Sequence, residues 1–302
     1  MATTWGLNLV DGVAFGLLLF TAAAGLTLAF GVADVLNLTH GTFYALGAYT
    51  AAAFTTAAFT TTAAAATLAG FGTALAAAVA VGAAAGAGLG VAHLPIAGRG
   101  HLAQVMLTLG VAGIGGDLLV AVFGADDLPA APPTPLAGSL RAGTVSYPTY
   151  RLVFIAVGIA LAAGLHLVVY RTRAGALVRA CVDDRPILAT IGVRPAAVQI
   201  GVLAAAGGLA AAGGVLGAPI IGPGTGTAPA IMLLSLVVVV LGGLGSIRGA
   251  FLAALAVGQV QTLGVALVPG AAPFVLMAAL AVVLAVAAHP RWKTRLTVRR
   301  PA

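Results

Sequence analysis

The first 98 residues of this 302-residue chain contain no lysine and no arginine. Cations then appear at Arg99, between Arg171 and Arg194, at Arg248, and in a tail from Arg291 to Arg300; Arg141 and Arg151 are the two exceptions among fourteen. What lies between these clusters is apolar: hydrophobic residues make up 61% of the sequence and charged ones 7%. A water-soluble domain of this length could neither bury so much apolar surface nor cover itself with so few charges. Positively charged loops stay on the cytoplasmic side of a membrane. The distribution therefore marks the chain as polytopic and also orients it. The net charge of +7 reflects that orientation and gives no reason to invoke nucleic acid.

A helix needs about 20 apolar residues to cross the hydrocarbon core. The candidate spans are Leu9–Gly31, Gly41–Thr61, Gly72–Leu94, Ala103–Phe123, Leu152–Tyr170, Ala196–Gly217, Ile231–Gly245, Gly249–Val268 and Pro273–Ala288. Nine crossings put the N-terminus outside, the C-terminus in the cytoplasm and twelve of the fourteen cations inside; eight or ten segments are the neighbouring counts. Ile231–Gly245 is short and Ala196–Gly217 is broken by glycines, so each also reads as a re-entrant or split segment. The first span lacks a basic region ahead of it and reads as an uncleaved helix. The expectation is an all-α transmembrane bundle forming one membrane domain over residues 1–302.

Two connections stand out. Residues 125–150 carry Asp126, Asp127 and five prolines, and read as an extended lid over the external mouth. Residues 171–195 form a cytoplasmic loop with five arginines against Asp183 and Asp184, too polar to enter lipid. Within the spans, Gly82-Ala-Ala-Ala-Gly86-Ala-Gly88, Gly207-Gly208 and Gly213-Gly214 are either close helix contacts or low-complexity alanine-rich sequence. Thr39-His40-Gly41-Thr42-Phe43 echoes Ile247-Arg248-Gly249-Ala250-Phe251, a hint of an internal repeat of the kind transporters use.

No catalytic or metal-binding constellation is present in the sequence. It has no nucleophile–base set, no phosphate-binding loop and no ligand cluster, and its five histidines are scattered singly. The chain thus reads as a non-enzyme that cannot hydrolyse ATP. Its seven aspartates leave just Asp117 well inside an apolar run, and there is no glutamate. A proton-coupled carrier needs a titratable relay within the bundle, so the driving energy is expected from a partner. Asp117 reads either as a polar contact on a pathway or as an interhelix hydrogen-bonding group. Asn37, Thr39 and His40 read either as pathway residues or as the cap of the next span. Gln259 and Gln261 lie inside the eighth span, more often a structural than a binding position.

The cytoplasmic loop is the strongest functional element. Ala174 to Ile191 is expected to form a short amphipathic helix with Leu177, Cys181 and Leu188 near one face. Such a helix can dock into a groove on a soluble motor. The sole cysteine, Cys181, has no intrachain partner for a disulfide.

These residues also carry a resemblance. Gly25-Leu-Thr-Leu-Ala-Phe-Gly31 leads to Asn37-Leu-Thr-His40-Gly41-Thr-Phe-Tyr44-Ala-Leu-Gly47-Ala-Tyr49. Together they resemble the opening of branched-chain amino-acid ABC transporter permeases of the LivH type. Arg171-Thr-Arg173-Ala-Gly175, Arg179-Ala180, Ile191-Gly192-Val193 and Val238-Val-Val-Leu-Gly242-Gly-Leu-Gly245-Ser-Ile-Arg-Gly249 are similar as well, so the likeness covers essentially the whole chain. It implies a multi-pass permease in a bacterial cytoplasmic (inner) membrane, importing branched-chain or related hydrophobic amino acids. The implied partners are a second, LivM-type permease, two ATPase subunits that bind ATP and Mg, and an extracytoplasmic substrate-binding protein, besides membrane lipid. No cofactor is expected on this chain itself. The segment matching the family's coupling element contains Arg179, Ala180, Asp183, Asp184, Ile187, Leu188, Ile191 and Gly192. Candidate pathway residues are Asn37, His40, Asp117 and Gln261. The sequence departs from the family at Pro186, Ile187 and Leu188, where a Glu and small residues are common, at Gln261, where a Glu is frequent, and at Asp117, where relatives tend to have a neutral amide. Transport of urea or short amides, or a stand-alone secondary carrier, are the other readings.

Overall fold

The computed structural model describes residues 2–33, 35–55, 67–96, 98–142, 145–183, 190, 192–267 and the single positions 274, 278 and 281. The elements follow the apolar runs, because backbone inside lipid must satisfy its own hydrogen bonds. Helix α1 (Ala2–Leu28) ends in a π turn, Ala29–Ala33, and is followed by α2 (His40–Thr55), α3 (Leu68–His93) and α4 (His101–Phe123). A short antiparallel hairpin of β1 (Ser139–Ala142) and β2 (Val145–Pro148) precedes α5 (Thr149–Arg171) and α6 (Arg173–Asp183). Then come α7 (Pro195–Gly217), α8 (Thr227–Gly242) and α9 (Ile247–Leu267). Six of these helices are long and apolar enough to cross a membrane. The chain is an all-α polytopic membrane protein.

The observed helices match the expected spans closely. The glycine-rich run is one unbroken helix, α7, rather than a split one. The segment expected to be short is α8, 16 residues and so about 24 Å long, less than the roughly 30 Å of hydrocarbon; α2 is described over His40–Thr55. Each is preceded by irregular chain, residues 35–39 and 218–226. The span expected at Pro273–Ala288 lies outside the described residues apart from three isolated positions.

Packing reveals an internal repeat. The two most extensive helix pairs are α3 with α7 and α1 with α9; α2 lies on α7 as α8 lies on α1, and α2 adjoins α3 as α8 adjoins α9. Exchanging α1 with α7, α2 with α8 and α3 with α9 therefore maps each contact onto another. The two triplets run in opposite directions, since Thr21 and Gly25 of α1 meet Gly213 and Ala206 of its counterpart α7 in antiparallel order. This is the neighbour pattern of an inverted repeat. The short sequence echo had paired the start of α2 with the start of α9; the fold pairs α2 with α8.

Small residues make the two main interfaces. Gly82 and Gly86 of α3 press on the backbone of Gly207 and Leu203 of α7, and a Cβ at either glycine would collide with a carbonyl oxygen. Gly88, two residues on, has nothing within 4 Å. Close backbone approach is how lipid-embedded helices gain packing energy without a hydrophobic drive between them.

The described arginines divide by end. Arg248 reaches His166 Nε2 near the end of α5 (3.2 Å), and Gly31 of the π turn abuts Gly245. Arg99, Arg171, Arg173, Arg179, Arg194 and Arg248 thus share one end of the bundle, called here the basic end. Arg141 and Arg151 lie at the far end with the hairpin, and the acidic connection folds back there: the Leu128 amide donates to the Pro223 carbonyl (2.9 Å). The hairpin is tied to α1 through Asp11, which accepts from the Tyr147 hydroxyl (2.7 Å) and from Arg151 Nη1 (2.5 Å).

Burial, reinforced by that hydrogen bond to Asp11, pushes the Tyr147 phenol up from 10.0 to about 12. A group whose pKa is raised on folding contributes stability below its unfolded pKa and loses it as pH climbs through the folded value. The parent protein is therefore expected to melt above Tyr147→Phe by a constant margin up to about pH 10, and to lose that margin between pH 10 and about 12. Thermal unfolding of both proteins across that range checks it; a margin unchanged at the alkaline limit refutes it. The margin itself will be small, since the Asp11–Arg151 pair is about one-third exposed.

Candidate functional site

Helices α2 and α8 begin side by side inside the bundle. A Cβ on Gly41, in the first turn of α2, would strike the Ala228 carbonyl in the first turn of α8. Two irregular segments deliver the helices there. In the first, Asn37 Oδ1 accepts from the Thr39 amide (3.1 Å), a side-chain turn just ahead of α2 rather than a cap on its first amides. The Thr39 hydroxyl donates to the Thr108 carbonyl (2.8 Å), and the Thr108 hydroxyl donates to the Leu36 carbonyl (2.9 Å), which locks the segment to α4. In the second, Thr227 Oγ1 accepts from the Gly224 amide (2.9 Å) and opens α8.

Between these starts and α4 lies a cleft of about 580 Å³. Its walls include Leu38 and Thr42 from the first segment and α2, Thr225, Ala228 and Pro229 from the second, and Asp117 from α4. A helix N-terminus carries roughly half a positive charge. Two such ends therefore share a cavity with the carboxylate, which accounts for an ionisable group within an apolar helix. Asp117 is exposed along the cleft, whereas Ile114 and Leu118 beside it are exposed apolar residues. An intramembrane carboxylate does not face lipid, so this side of α4 meets protein or water. The cleft offers a carboxylate acceptor, two threonine hydroxyls and two helix ends. Those groups suit a small solute bearing both an ammonium and a carboxylate.

The structure separates the four candidate pathway residues. Asp117 lines the cleft. Asn37 and His40 are fully buried. His40 packs against α1, where its Nε2 must carry the proton that it donates to the Ala22 carbonyl. Gln261 is half-buried on α9 and is not among the cleft residues. Its neighbour Gln259 donates to the Leu9 carbonyl (2.9 Å), the structural role expected of it. Thr42 and Thr225 were not foreseen. The Pro229 after Thr227 was the legible sign that α8 starts before Ile231.

At the basic end, α6 is the amphipathic helix foreseen for the cytoplasmic loop, observed over Arg173–Asp183. Val178 and Cys181 pack on Leu28, Val198 and Val202. The bundle itself thus covers the apolar face that had suggested an external groove, while Leu177 remains 39% exposed. Ala180 is half-buried beside them. The Arg179 guanidinium donates to the Val169 carbonyl and lies 5.6 Å from the Tyr170 ring centroid, with Arg248 on the same ring at 5.8 Å. Asp183 ends the helix. Asp184, Ile187, Leu188 and Ile191 lie outside the described residues. Gly192 has φ +83°, the left-handed conformation that glycine adopts without strain, and turns the chain toward α7.

No solved structure matches the chain. It is 27% identical over 268 residues to the high-affinity branched-chain amino acid transport system permease protein BraD of Pseudomonas aeruginosa, with 85% of each chain covered. The family described as branched-chain amino acid transport system, permease component, matches residues 8–287. That match spans both inverted triplets and the cleft between them, and the chain belongs to this permease family.

Proposed function

We propose that residues 1–302 form one permease domain, the membrane subunit of an ATP-driven importer of branched-chain or related hydrophobic amino acids in a bacterial inner membrane. The cleft carries the reading: two helices start there, inside the bundle, beside Asp117. A solute with an ammonium and a carboxylate would find a partner for each. Family membership and the likeness to BraD support the substrate class. The basic end and the C-terminus face the cytoplasm, following the positive-inside rule. The partners are a second, LivM-type permease, two ATPase subunits that bind ATP and Mg, and an extracytoplasmic binding protein that meets the far end around the hairpin.

Residues 171–195 couple the ATPase to the cleft. Helix α6 packs on the π turn of α1 and on α7. The π turn leads into the segment that holds Leu38 against the cleft. Displacing α6 would therefore shift one wall of the cleft through contacts already in place. Of the coupling residues, Arg179 fixes α6 to the end of α5; Ala180, Asp183, Asp184, Ile187, Leu188, Ile191 and Gly192 complete the segment.

The test is leucine uptake into proteoliposomes holding all four kinds of subunit. Uptake is expected to need ATP and the binding protein. Arg179→Ala is expected to lower uptake per ATP hydrolysed while the complex still assembles. Uptake that persists without the ATPase subunits would show a stand-alone carrier and sink the proposal.

A further inference from the structure

A second cavity, of about 780 Å³, lies on the outer side of the bundle at the basic end. Helices α3, α5, α6 and α7 wall it, and every lining side chain is apolar, among them Val79, Leu161, Val168, Leu177, Val202 and Ala212. Val79, Val168 and Leu177 are exposed there, so the cavity opens sideways toward the surroundings of the bundle. Along α7 it runs from Val198 to Ala212, about 21 Å at the rise of a helix. That is longer than one leaflet's share, roughly 15 Å, of the hydrocarbon core.

Charge gathers at the mouth. Arg171 ends α5, Arg173 starts α6, and Arg194 caps α7 one turn before Val198; all three are exposed. Among the described residues the one ion pair is Arg151–Asp11 at the far end, and none of these three pairs with a described carboxylate.

We infer that this cavity binds an anionic phospholipid from the leaflet at the basic end, with an acyl chain along α7 and the headgroup phosphate on Arg171, Arg173 and Arg194. Wholly apolar walls select hydrocarbon, and the three exposed cations select the headgroup. Because the lipid would sit between α5 and α7 under α6, its headgroup would contact the same segment that carries Arg179.

The test is native mass spectrometry of the full-length purified chain, delipidated and then offered phosphatidylglycerol or phosphatidylcholine with identical acyl chains. The parent is expected to retain phosphatidylglycerol in preference. Arg171→Gln with Arg173→Gln is expected to weaken that preference about fivefold per charge removed, with phosphatidylcholine retained as before. Ala205→Trp, which fills the cavity, is expected to lose both lipids, and Leu118→Trp on the exposed face of α4 to lose neither. Equal retention of the two lipids by the parent overturns the inference, as does an arginine double variant whose preference is unchanged. Should Ala205→Trp fail to fold, the smaller Ala205→Leu and the arginine pair decide the matter, since neither alters the helix contacts.

Discussion

Gly86→Val is expected to remove most of the folded protein, while Gly88→Val, two residues along the same helix, is expected to leave it unchanged. A Cβ at position 86 would collide with the Leu203 carbonyl, a backbone atom of α7 that cannot rotate away. Overpacking commonly costs about 1–3 kcal/mol. The value here should reach the top of that range because the whole α3–α7 interface would have to part. At position 88 the space beside the backbone is open. Detergent-extracted yield and melting temperature, compared in parallel, decide the matter. Two variants of equal stability would mean that α3 and α7 do not pack as described.

Asp117→Leu should give the largest functional change that leaves the fold intact. Hydrogen bonds to charged groups contribute about 1.5–3 kcal/mol, so the KM for uptake is expected to rise roughly 10- to 100-fold. Asp117→Asn keeps the hydrogen-bonding capacity without the charge and should fall between. His40→Ala is the contrasting case. Its imidazole bonds the Ala22 carbonyl inside the α1–α2 contact, so its loss should lower melting temperature and yield, with KM unchanged in the protein that does fold. If Asp117→Leu transports normally, the cleft between α2, α4 and α8 is not the pathway.

Much of this architecture was legible in the sequence. Apolar length located the long helices, and the arginines sorted the two ends. The shortness of α8 was legible in the brief run Ile231–Gly245, but the depth at which α2 and α8 start was not. Hydropathy counts apolar residues and does not register depth, so a helix that starts inside the membrane reads like one that starts at its edge. The pairing within the repeat was hidden for a related reason: α2 and α8 hold the same place in oppositely directed triplets without sharing residues. For the site, Asp117 announced itself as an ionisable group in an apolar run. Thr42 did not, because a hydroxyl in such a run usually bonds its own helix backbone, as Thr50 does with the Leu46 carbonyl; nor did Thr225, which lies in the glycine- and proline-rich connection before α8. Amphipathicity located α6 correctly but could not say what covers its apolar face. A helix stripe made for Val198 and Val202 of the same chain looks, in sequence, like one made for another protein.

The π turn at Ala29–Ala33 sets where the chain leaves α1 on its way to the cleft. A π turn holds about one residue more than an α turn. Residues beyond it are therefore offset by roughly 100° and 1.5 Å from where a continuous α helix would place them. The chain leaves α1 from that offset position, and the irregular segment 35–39 then leads to the threonine lock on Thr108 and the first turn of α2. Two phases of one helix end differ by a single residue, and the turn that holds this phase lies against α6.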